Sequence, residues 1–248
     1  MLKITFIGHA TFLIEMEDEF ILTDPLFSKK VLGFPRHQEP GIKPEALPPL
    51  NSILVSHAHY DHLDLFSYKY FSLHTPVMVP LGLGKLLTKF LKNPIVEIPP
   101  WSQYAMGEMT IHAVPVKHTG FRLSGLTWKN TTGFILEKNG IKIFFAGDTA
   151  DGDHFRKIAE LHKIDVALLP IGNYEPRWLM KHRHMNPEEA VQAFLDLKAE
   201  VMIPYHWGAF RLSQESLEEP GLELKRILKE RPGLKVKILK PGESFSGI

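Results

Sequence analysis

Short apolar segments separated by polar turns begin the chain, and this alternation is typical of β-strands. Three of these segments, Lys3 to Ile7, Thr11 to Glu15 and Phe20 to Thr23, predict consecutive strands. The next stretch, Asp24 to Pro49, is rich in proline and lacks an apolar period, so we predict a long irregular loop. A loop of this length inside a compact domain usually has a function. The apolar segment Ser52 to Ser56 then predicts a buried strand.

The rest of the chain continues with strands and adds helices between them. Further strands are predicted around Val77 and Ile95 and at Met109 to Pro115, Gly133 to Glu137, Lys142 to Ala146, Val166 to Leu169, Val201 to Pro204 and Lys235 to Leu239. Helices are predicted for the apolar face of Leu83, Leu86, Leu87, Phe90 and Leu91, and near His154 to His162, Asn186 to Lys198 and Leu222 to Glu230. This alternation in two similar halves indicates an α/β protein with two sheets packed face to face and helices outside. Because no flexible or charged linker separates the halves, we predict one domain, residues 1–248.

Composition and charge exclude several classes of function. Apolar residues make up 44% and charged residues 23% of the 248 positions, as in ordinary globular proteins. The net charge of +1 gives no bulk electrostatic basis for binding nucleic acid or an anionic membrane, and no nucleic-acid partner is predicted. Because the chain has no cysteine, any bound metal must be held by histidine or carboxylate side chains.

Neither a targeting signal nor a membrane span is predicted. Residues Met1 to Phe6 have the pattern of a first strand and lack the basic start and apolar core of a signal peptide. No apolar run approaches the ~18 residues that suggest a membrane-spanning helix. We therefore predict a cytoplasmic location, and peripheral membrane contact and homo-oligomerisation stay open.

The segment His57-Ala58-His59-Tyr60-Asp61-His62, directly after the strand Ser52 to Ser56, concentrates metal-binding side chains. Imidazole is the commonest protein ligand for transition metals, and carboxylates complete or bridge such sites. On an extended segment His57 and His59 face one way, and a following turn directs Asp61 and His62 to a neighbouring point. This arrangement suits two adjacent metal ions, which can generate a hydroxide at neutral pH. The segment therefore predicts a binuclear metallohydrolase.

Four more polar residues directly follow apolar strands, where α/β folds place their chemistry. They are Asp24, His118, Asp148 and His206. A single residue of this kind is usually a cap or a loop residue, but two metal ions need more ligands than the histidine segment supplies. The remaining histidines are interpreted as ordinary surface or core residues: His9, His37, His74, His112, His154, His162 and His182. His9, in the turn Gly8-His9-Ala10 between the first two strands, is a mild exception.

These residues resemble the metallo-β-lactamase superfamily, whose signature is His-x-His-x-Asp-His followed by single His, Asp and His ligands. Within it, the chain is similar to the N-acylphosphatidylethanolamine-hydrolysing phospholipase D family. The segments that carry this likeness are Gly8-His9-Ala10-Thr11, Leu22-Thr23-Asp24-Pro25-Leu26-Phe27, Ser56 to Asp64, Val79 to Leu83, Phe145 to Thr149, Pro170 to Trp178, His184 to Ala190 and His206-Trp207-Gly208. The ascorbate-6-phosphate lactonase group is a more distant neighbour. The resemblance implies a four-layer αβ/βα sandwich of two mixed sheets.

The resemblance also implies the roles of individual residues. One metal would be held by His57, His59 and His118, the second by Asp61, His62 and His206, and Asp148 would bridge them. Asp24 would orient a ligand, and Asp61, Asp148 and His184 would be the catalytic residues. Tyr174, Arg177, Trp178 and Arg183 are candidates for substrate binding. Ala58 and Arg183 depart from the animal enzymes, which have Asn and Gln there. The metals are taken as two divalent ions, zinc by default, with manganese, nickel or iron as alternatives.

Three functions remain open for a chain with these residues. The first is a phosphodiesterase of phospholipase D-like type, in which a metal-bridging hydroxide attacks phosphorus. The second is a lactonase that acts on a small sugar-phosphate lactone with the same site. The third, a metal-binding or nucleic-acid-binding module without activity, is disfavoured because the ligand set is intact and no basic stripe is present.

For the phosphodiesterase, we expect the substrate to be a small-molecule or a phospholipid phosphodiester. An interfacial loop of apolar and basic residues is one interpretation of Phe27, Val31, Leu32 and Phe34 with Lys29, Lys30 and Arg36. An apolar entrance is suggested by Phe121, Leu123, Leu126, Trp128, Trp178, Leu179 and Phe210. The alternative is that these side chains pack on one another as lid and core residues.

Overall fold

A computed structural model describes residues 1–122, 126–128 and 131–247, and the side chains of residues 1–119 and 131–247. The side chains of Phe121, Leu123, Leu126 and Trp128, which the sequence suggested for an apolar entrance, lie outside these described residues. Within the described part, two large sheets and two short hairpins are present.

The first sheet is built from the N-terminal part of the chain and one C-terminal strand. Its strands are β1 (Leu2–Gly8), β2 (Thr11–Met16), β3 (Glu19–Thr23), β6 (Ser52–Leu54), β7 (Val77–Pro80), β8 (Ile95–Ile98) and β17 (Ser244–Ser246). Between β3 and β6 the loop holds a small hairpin, β4 (Lys30–Val31) and β5 (Phe34–Pro35). The strand order is β17-β1-β2-β3-β6-β7-β8, antiparallel from β17 to β3 and parallel from β3 to β8.

The second sheet repeats this change from antiparallel to parallel pairing. Its strands are β9 (Gln103–Met106), β10 (Met109–Pro115), β13 (Thr132–Lys138), β14 (Ile141–Phe145), β15 (Val166–Pro170) and β16 (Val201–Tyr205). A separate hairpin joins β11 (Gly120–Arg122) to β12 (Leu126–Trp128). The order is β16-β15-β14-β13-β10-β9, parallel from β16 to β14 and antiparallel from β14 to β9.

Five α-helices accompany the sheets in the described part of the chain. They are α1 (Gly84–Leu87), α2 (His154–Leu161), α3 (Arg177–Met180), α4 (Pro187–Leu197) and α5 (Glu219–Glu230). Short 3₁₀ helices lie at Pro44–Ala46 and Leu65–Tyr70. Helix α4 begins as its sequence Asn-Pro-Glu-Glu predicts, because the Asn186 side chain accepts from the Glu189 amide and the Glu189 carboxylate accepts from the Asn186 amide.

The apolar core forms three layers, which confirms the predicted packing of two sheets with helices outside. Between the sheets, Phe12 and Met78 of the first sheet pack with Phe134 and Phe145 of the second. The outer face of the second sheet packs against helices α2, α4 and α5. The outer face of the first sheet packs against the segment 63–71 and the leucines around α1. Burial on both faces explains why the parallel strands are apolar throughout.

This topology brings the sequence-distant polar residues to one edge. Asp24 follows β3, His57 follows β6, Asp148 follows β14 and His206 follows β16, all at the carboxyl ends of parallel strands. His118 follows β10, which runs in the same direction as β14 because both are antiparallel to β13. The two sheets therefore deliver these side chains to a common site.

Three sequence predictions differ from the structure. The segment Asp24 to Pro49, predicted as an irregular loop, holds the hairpin of β4 and β5 and the 3₁₀ helix Pro44–Ala46. The strand predicted at Lys235 to Leu239 is wrong, because this segment only bridges Met202 through Val236, and the last strand is Ser244–Ser246 in the other sheet. The helix predicted over Leu83 to Leu91 is limited to Gly84–Leu87. Glycine has a low helix propensity, and the chain soon reaches Pro94, so only one turn is regular.

Among the residues that the structure describes, no helix combines the length and the apolar character that crossing a bilayer requires.

Candidate metal centre

Two groups of imidazole and carboxylate side chains meet at the edge where the strands end. The first group consists of His57, His59, His118 and Asp148, whose potential ligand atoms all lie within 4.8 Å of one another. His59 Nδ1 lies 2.9 Å from His57 Nε2 and 3.2 Å from His118 Nε2. The first group thus unites the histidine segment after β6 with the residue after β10.

The second group consists of His9, Asp61, His62 and His206, all buried. His62 Nε2 lies 3.1 Å from His206 Nε2, and Asp61 Oδ2 lies 3.5 Å from the same His206 nitrogen. His9 Nε2 donates to Asp61 Oδ2 over 2.9 Å, and the His9 ring lies 4.2 Å from the His206 ring. This group brings together the turn between β1 and β2, which carries His9, the segment after β6, which carries Asp61 and His62, and the end of β16, which carries His206.

Asp148 lies between the two groups and contacts both. Its Oδ2 is 3.8 Å from His57 Nε2 and 3.3 Å from His62 Nε2, and its Oδ1 is 3.1 Å from His206 Nε2. Asp148 is reached through Gly147, whose φ of +62° and close approach to Ser56 leave no room for a side chain. A carboxylate in this position can be shared by two cations.

Hydrogen bonds on the outer side fix how the histidines face the centre. Asp24 accepts from His62 Nδ1 over 2.6 Å and from the Ser56 hydroxyl over 2.5 Å, and that hydroxyl accepts from His57 Nδ1 over 2.9 Å. The Arg183 carbonyl accepts from His118 Nδ1 over 2.8 Å. In each case the outer nitrogen carries a proton, so each ring, when neutral, presents the lone pair of its inner Nε2 to the centre. Asp24 orients one histidine of each group in this way.

Burial keeps most of these imidazoles neutral. It lowers the pKa of His118 to about 4 and the pKa of His57 well below its ordinary value. Burial opposes ionisation of Asp148, but the neighbouring His206 and His62 hold the pKa of this carboxyl well below its usual range. Neutral imidazoles with an ionised carboxylate are the protonation state that metal binding requires.

His62 shows that the centre attracts positive charge. Burial lowers the pKa of His62, but the surrounding carboxylates, Asp148, Asp61 and Asp24, outweigh it and raise this pKa well above the ordinary value. Asp148 Oδ1 is buried, and although His206 Nε2 lies 3.1 Å away, no group within the described residues is aligned to form a hydrogen bond with it. Because a buried unpaired carboxylate oxygen is costly, converging lone pairs and carboxylates fit divalent cations.

His184 reaches the centre from the loop after α3. Its Nδ1 lies 3.7 Å from Asp148 Oδ2 and, among the described residues, has no hydrogen-bond partner. Burial lowers the pKa of His184 well below its ordinary value, so the ring is neutral and has one N–H to donate. The loop is held by Arg177, whose guanidinium donates to the His184 carbonyl over 3.2 Å and to Glu189 over 2.6 Å.

The four candidate substrate residues have different surroundings. Tyr174 is buried, and its hydroxyl donates to Glu223 over 3.0 Å. The Arg177 guanidinium donates to the His184 carbonyl and to Glu189. Trp178 is 76% exposed on α3, and the Arg183 side chain is exposed although its carbonyl contacts His118. Of these four side chains, only Trp178 and Arg183 are therefore accessible to a substrate without breaking one of the side-chain hydrogen bonds named above.

His9 is the residue that sequence reasoning left aside and the structure brings into the centre. Its contact with Asp61 spans 52 positions, so no local spacing reveals it. The available signal was the turn Gly8-His9-Ala10, where His9 adopts a φ of +55°. Asp24 and His206 also have positive φ, 31° and 73°, and backbone conformations of this kind cluster at functional sites.

Comparison with known proteins agrees with this geometry. The family model described as "Beta-lactamase superfamily domain" matches residues 19–207. The chain is 35% identical to N-acyl-phosphatidylethanolamine-hydrolyzing phospholipase D 1 of Caenorhabditis elegans, over 93% of this chain and 71% of that protein. It is 32% identical to a UPF0173 metal-dependent hydrolase of Pyrococcus furiosus, over 99% of both chains. Some relatives are longer: the chain spans 62% of an uncharacterized Mycobacterium tuberculosis protein that is 35% identical.

A solved structure supports the same assignment at the level of the fold. Igni18, described as a novel metallo hydrolase from Ignicoccus hospitalis, aligns with a TM-score of 0.74 and 23% identity over 100% of this chain and 99% of that chain. The two mixed sheets and outer helices described above are the metallo-β-lactamase fold, as the resemblance implied. The chain therefore belongs to the beta-lactamase superfamily and is a metal-dependent hydrolase.

Proposed function

We propose that this hydrolase is a phosphodiesterase of phospholipase D-like type that works with two divalent cations. The observation that carries the proposal is the position of Asp148 between two groups of ligand atoms, within 3.9 Å of both. The similarity to the phospholipase D of C. elegans supports a phosphodiester as the substrate class. We take zinc as the default cation, with manganese, nickel or iron as alternatives, because all-histidine and carboxylate sites accept each of them.

The ligands divide between the two positions. One cation would be held by His57, His59 and His118, and the other by Asp61, His62 and His206, with Asp148 shared between the two positions. When bound, the cations supply a nucleophile from water at neutral pH and offset the charge on the phosphoryl oxygens. Asp24 keeps His57 and His62 in the tautomer that leaves Nε2 free for a cation.

His184 is proposed as the catalytic residue on the substrate side, with Asp61 and Asp148 as the catalytic carboxylates. The neutral ring of His184 donates one hydrogen bond to a phosphoryl oxygen. This hydrogen bond strengthens as negative charge develops on that oxygen in the transition state. Arg177 fixes the backbone of His184 through its carbonyl, so it serves to position this ring. Trp178 and Arg183 are proposed to contact the substrate, and Tyr174 to shape the loop through Glu223.

The whole chain is proposed to act as one domain, because the core between the sheets draws on residues from both halves. A cytoplasmic location stays a prediction from the sequence, as does the absence of a nucleic-acid partner. Homo-oligomerisation stays open.

Turnover of bis(p-nitrophenyl) phosphate tests the proposal directly. We expect the chelated protein to be inactive and readdition of zinc, manganese or nickel to restore cleavage, because the nucleophile depends on the cations. A chelated, folded protein that still cleaves the diester at its former rate would contradict the proposal. Bound cations without diester cleavage would contradict it too and would favour the lactonase.

A further inference from the structure

A small cavity lies behind the second group of ligand side chains. Its volume is about 20 Å³, and it is lined by His9, Gly172, His206 and residues of the segment 207–217. Both imidazole residues are only 2% exposed. Because one water molecule needs a cavity of about 10–15 Å³, this cavity has room for a single water molecule and little more.

Two buried ring nitrogens beside this cavity lack a partner. They are His9 Nδ1 and His206 Nδ1, and within the described part of the chain neither forms a hydrogen bond. His57, His62 and His118 differ, because their Nδ1 atoms each contact an acceptor within the protein. A buried polar atom without a partner costs free energy, so these two nitrogens call for a ligand in the cavity.

The proposed second cation position fixes the proton of His206. His206 Nε2 is on the side of the metal centre, 3.1 Å from Asp148 Oδ1 and 3.5 Å from Asp61 Oδ2. As a cation ligand, Nε2 must present a lone pair, so the one proton of the neutral ring is on Nδ1. This buried N–H needs an acceptor outside the centre.

His9 has the opposite tautomer. Its Nε2 lies 2.9 Å from Asp61 Oδ2. Burial opposes ionisation of this carboxyl, but the neighbouring His62 holds the pKa of Asp61 well below its usual range. An ionised carboxylate only accepts, so His9 donates through Nε2. Because burial lowers the pKa of His9 to about 4, the ring is neutral and keeps a lone pair at Nδ1.

The two rings are close enough for one small molecule to contact both. Their centres are 4.2 Å apart, and the His206 amide donates to the His9 carbonyl over 3.1 Å. The cavity thus has one donor, at His206 Nδ1, and one acceptor, at His9 Nδ1. Water suits this pair, since it accepts one hydrogen bond and donates another. A metal cation would be repelled by the N–H of His206, and a halide ion has no proton to donate to His9.

We propose that this cavity binds one water molecule, which accepts from His206 Nδ1 and donates to His9 Nδ1. His9 is then a positioning residue: it holds the water that keeps His206 in the tautomer required of a cation ligand. The inference deepens the proposed function, because it rests on the second cation position for the tautomer of His206.

A high-resolution crystal structure of the zinc-loaded full chain tests the water site. We expect one ordered water at about 2.7–3.2 Å from both Nδ1 atoms. Long-range ¹H–¹⁵N correlation spectra of the same protein should place the proton of His206 on Nδ1 and that of His9 on Nε2. The proposal is overturned if no ordered water contacts both nitrogens, if the cavity holds an ion, or if either ring has the other tautomer.

His9→Gln separates the contact with the water from the contact with Asp61. The glutamine amide can still donate to Asp61, but it has no counterpart of Nδ1 to accept from the water. We expect this variant to bind the second zinc ion about tenfold more weakly and the first ion unchanged, since outer hydrogen bonds orient metal-binding histidines. Zinc titration against a competing chelator measures both steps. The crystal structure and spectra of the wild type decide the proposal even if the variant does not fold.

His112→Gln is the matched control. His112 Nε2 also lies 2.9 Å from a carboxylate, that of Glu137, near the end of β13 that points away from the metal centre. This variant should bind both zinc ions like the wild type. Unchanged affinity of folded His9→Gln for the second ion, or an equal loss in His112→Gln, would overturn the proposal.

The same measurements distinguish failure of the water site from failure of the proposed function. Two bound zinc ions and the bridging water, without cleavage of bis(p-nitrophenyl) phosphate, would refute the phosphodiesterase and leave the water site supported. Diester cleavage by a protein that binds two zinc ions but lacks the bridging water would overturn the water site alone. A protein that binds no second ion and carries the His206 proton on Nε2 would overturn both.

Discussion

Replacing Asp148 by asparagine should lower diester turnover by about a thousandfold or more and reduce the number of bound cations, while the protein stays folded. The carboxylate contacts histidines of both groups, with Oδ1 3.1 Å from His206 and Oδ2 3.3 Å from His62. An amide keeps the size of the side chain but removes the charge that two cations would share. A thousandfold lower turnover corresponds to a loss of several kcal/mol in the stabilisation of the transition state. Steady-state kinetics and metal analysis of the same preparation measure both effects.

Asp153→Asn is the matched control for this variant. Asp153 lies just before α2, its side chain is exposed, and it pairs only with Arg156 among the described residues. It should keep wild-type turnover and metal content. Our assignment of Asp148 would be contradicted if Asp148→Asn, folded by circular dichroism, retained both properties.

Gly172→Ala should lower the free energy of unfolding by about 3 kcal/mol and displace a proposed ligand. A Cβ atom at position 172 would lie 2.1 Å from the carbonyl oxygen of His206, so the backbone must move. That backbone is held in a positive φ of 73° and by the bond from its amide to the His9 carbonyl. A shift of His206 should weaken binding of the second cation by about 10- to 100-fold.

Gly233→Ala provides the comparison, because nothing lies within 4 Å of a Cβ atom at that position. Denaturant unfolding of the two variants should show a loss for Gly172→Ala and almost none for Gly233→Ala. Equal stability of Gly172→Ala and the wild type would mean that the contact between Gly172 and His206 is not as tight as described.

The sequence predicts the parts of this molecule whose signals are local. Alternation of apolar and polar positions predicts β1 to β3, and the helix-capping pattern at Asn186 predicts the start of α4. The metal-binding character of the segment His57 to His62 follows from its spacing, because the side chains of one extended segment and its turn must converge.

Features that depend on contacts between residues far apart in the sequence cannot be predicted from local patterns. His9, between β1 and β2, meets Asp61, after β6, only once the first sheet has assembled. Arg177 has the type of side chain that binds phosphate, yet its partners are Glu189 and the His184 carbonyl, on a loop that the sequence does not locate. The alternation at Lys235 to Leu239 is that of a strand, but the segment bridges Met202 alone, so local pattern does not decide strand pairing.

Metal stoichiometry is the measurement that tests the central claim of two adjacent cation positions that share Asp148. The fully chelated protein is titrated with zinc and its bound metal is determined after removal of free ion. We predict two ions per chain for the wild type and one for His118→Ala and for His206→Ala, since each variant removes a ligand from only one position. A wild-type protein that binds a single ion or none, or variants that both still bind two, would contradict the account.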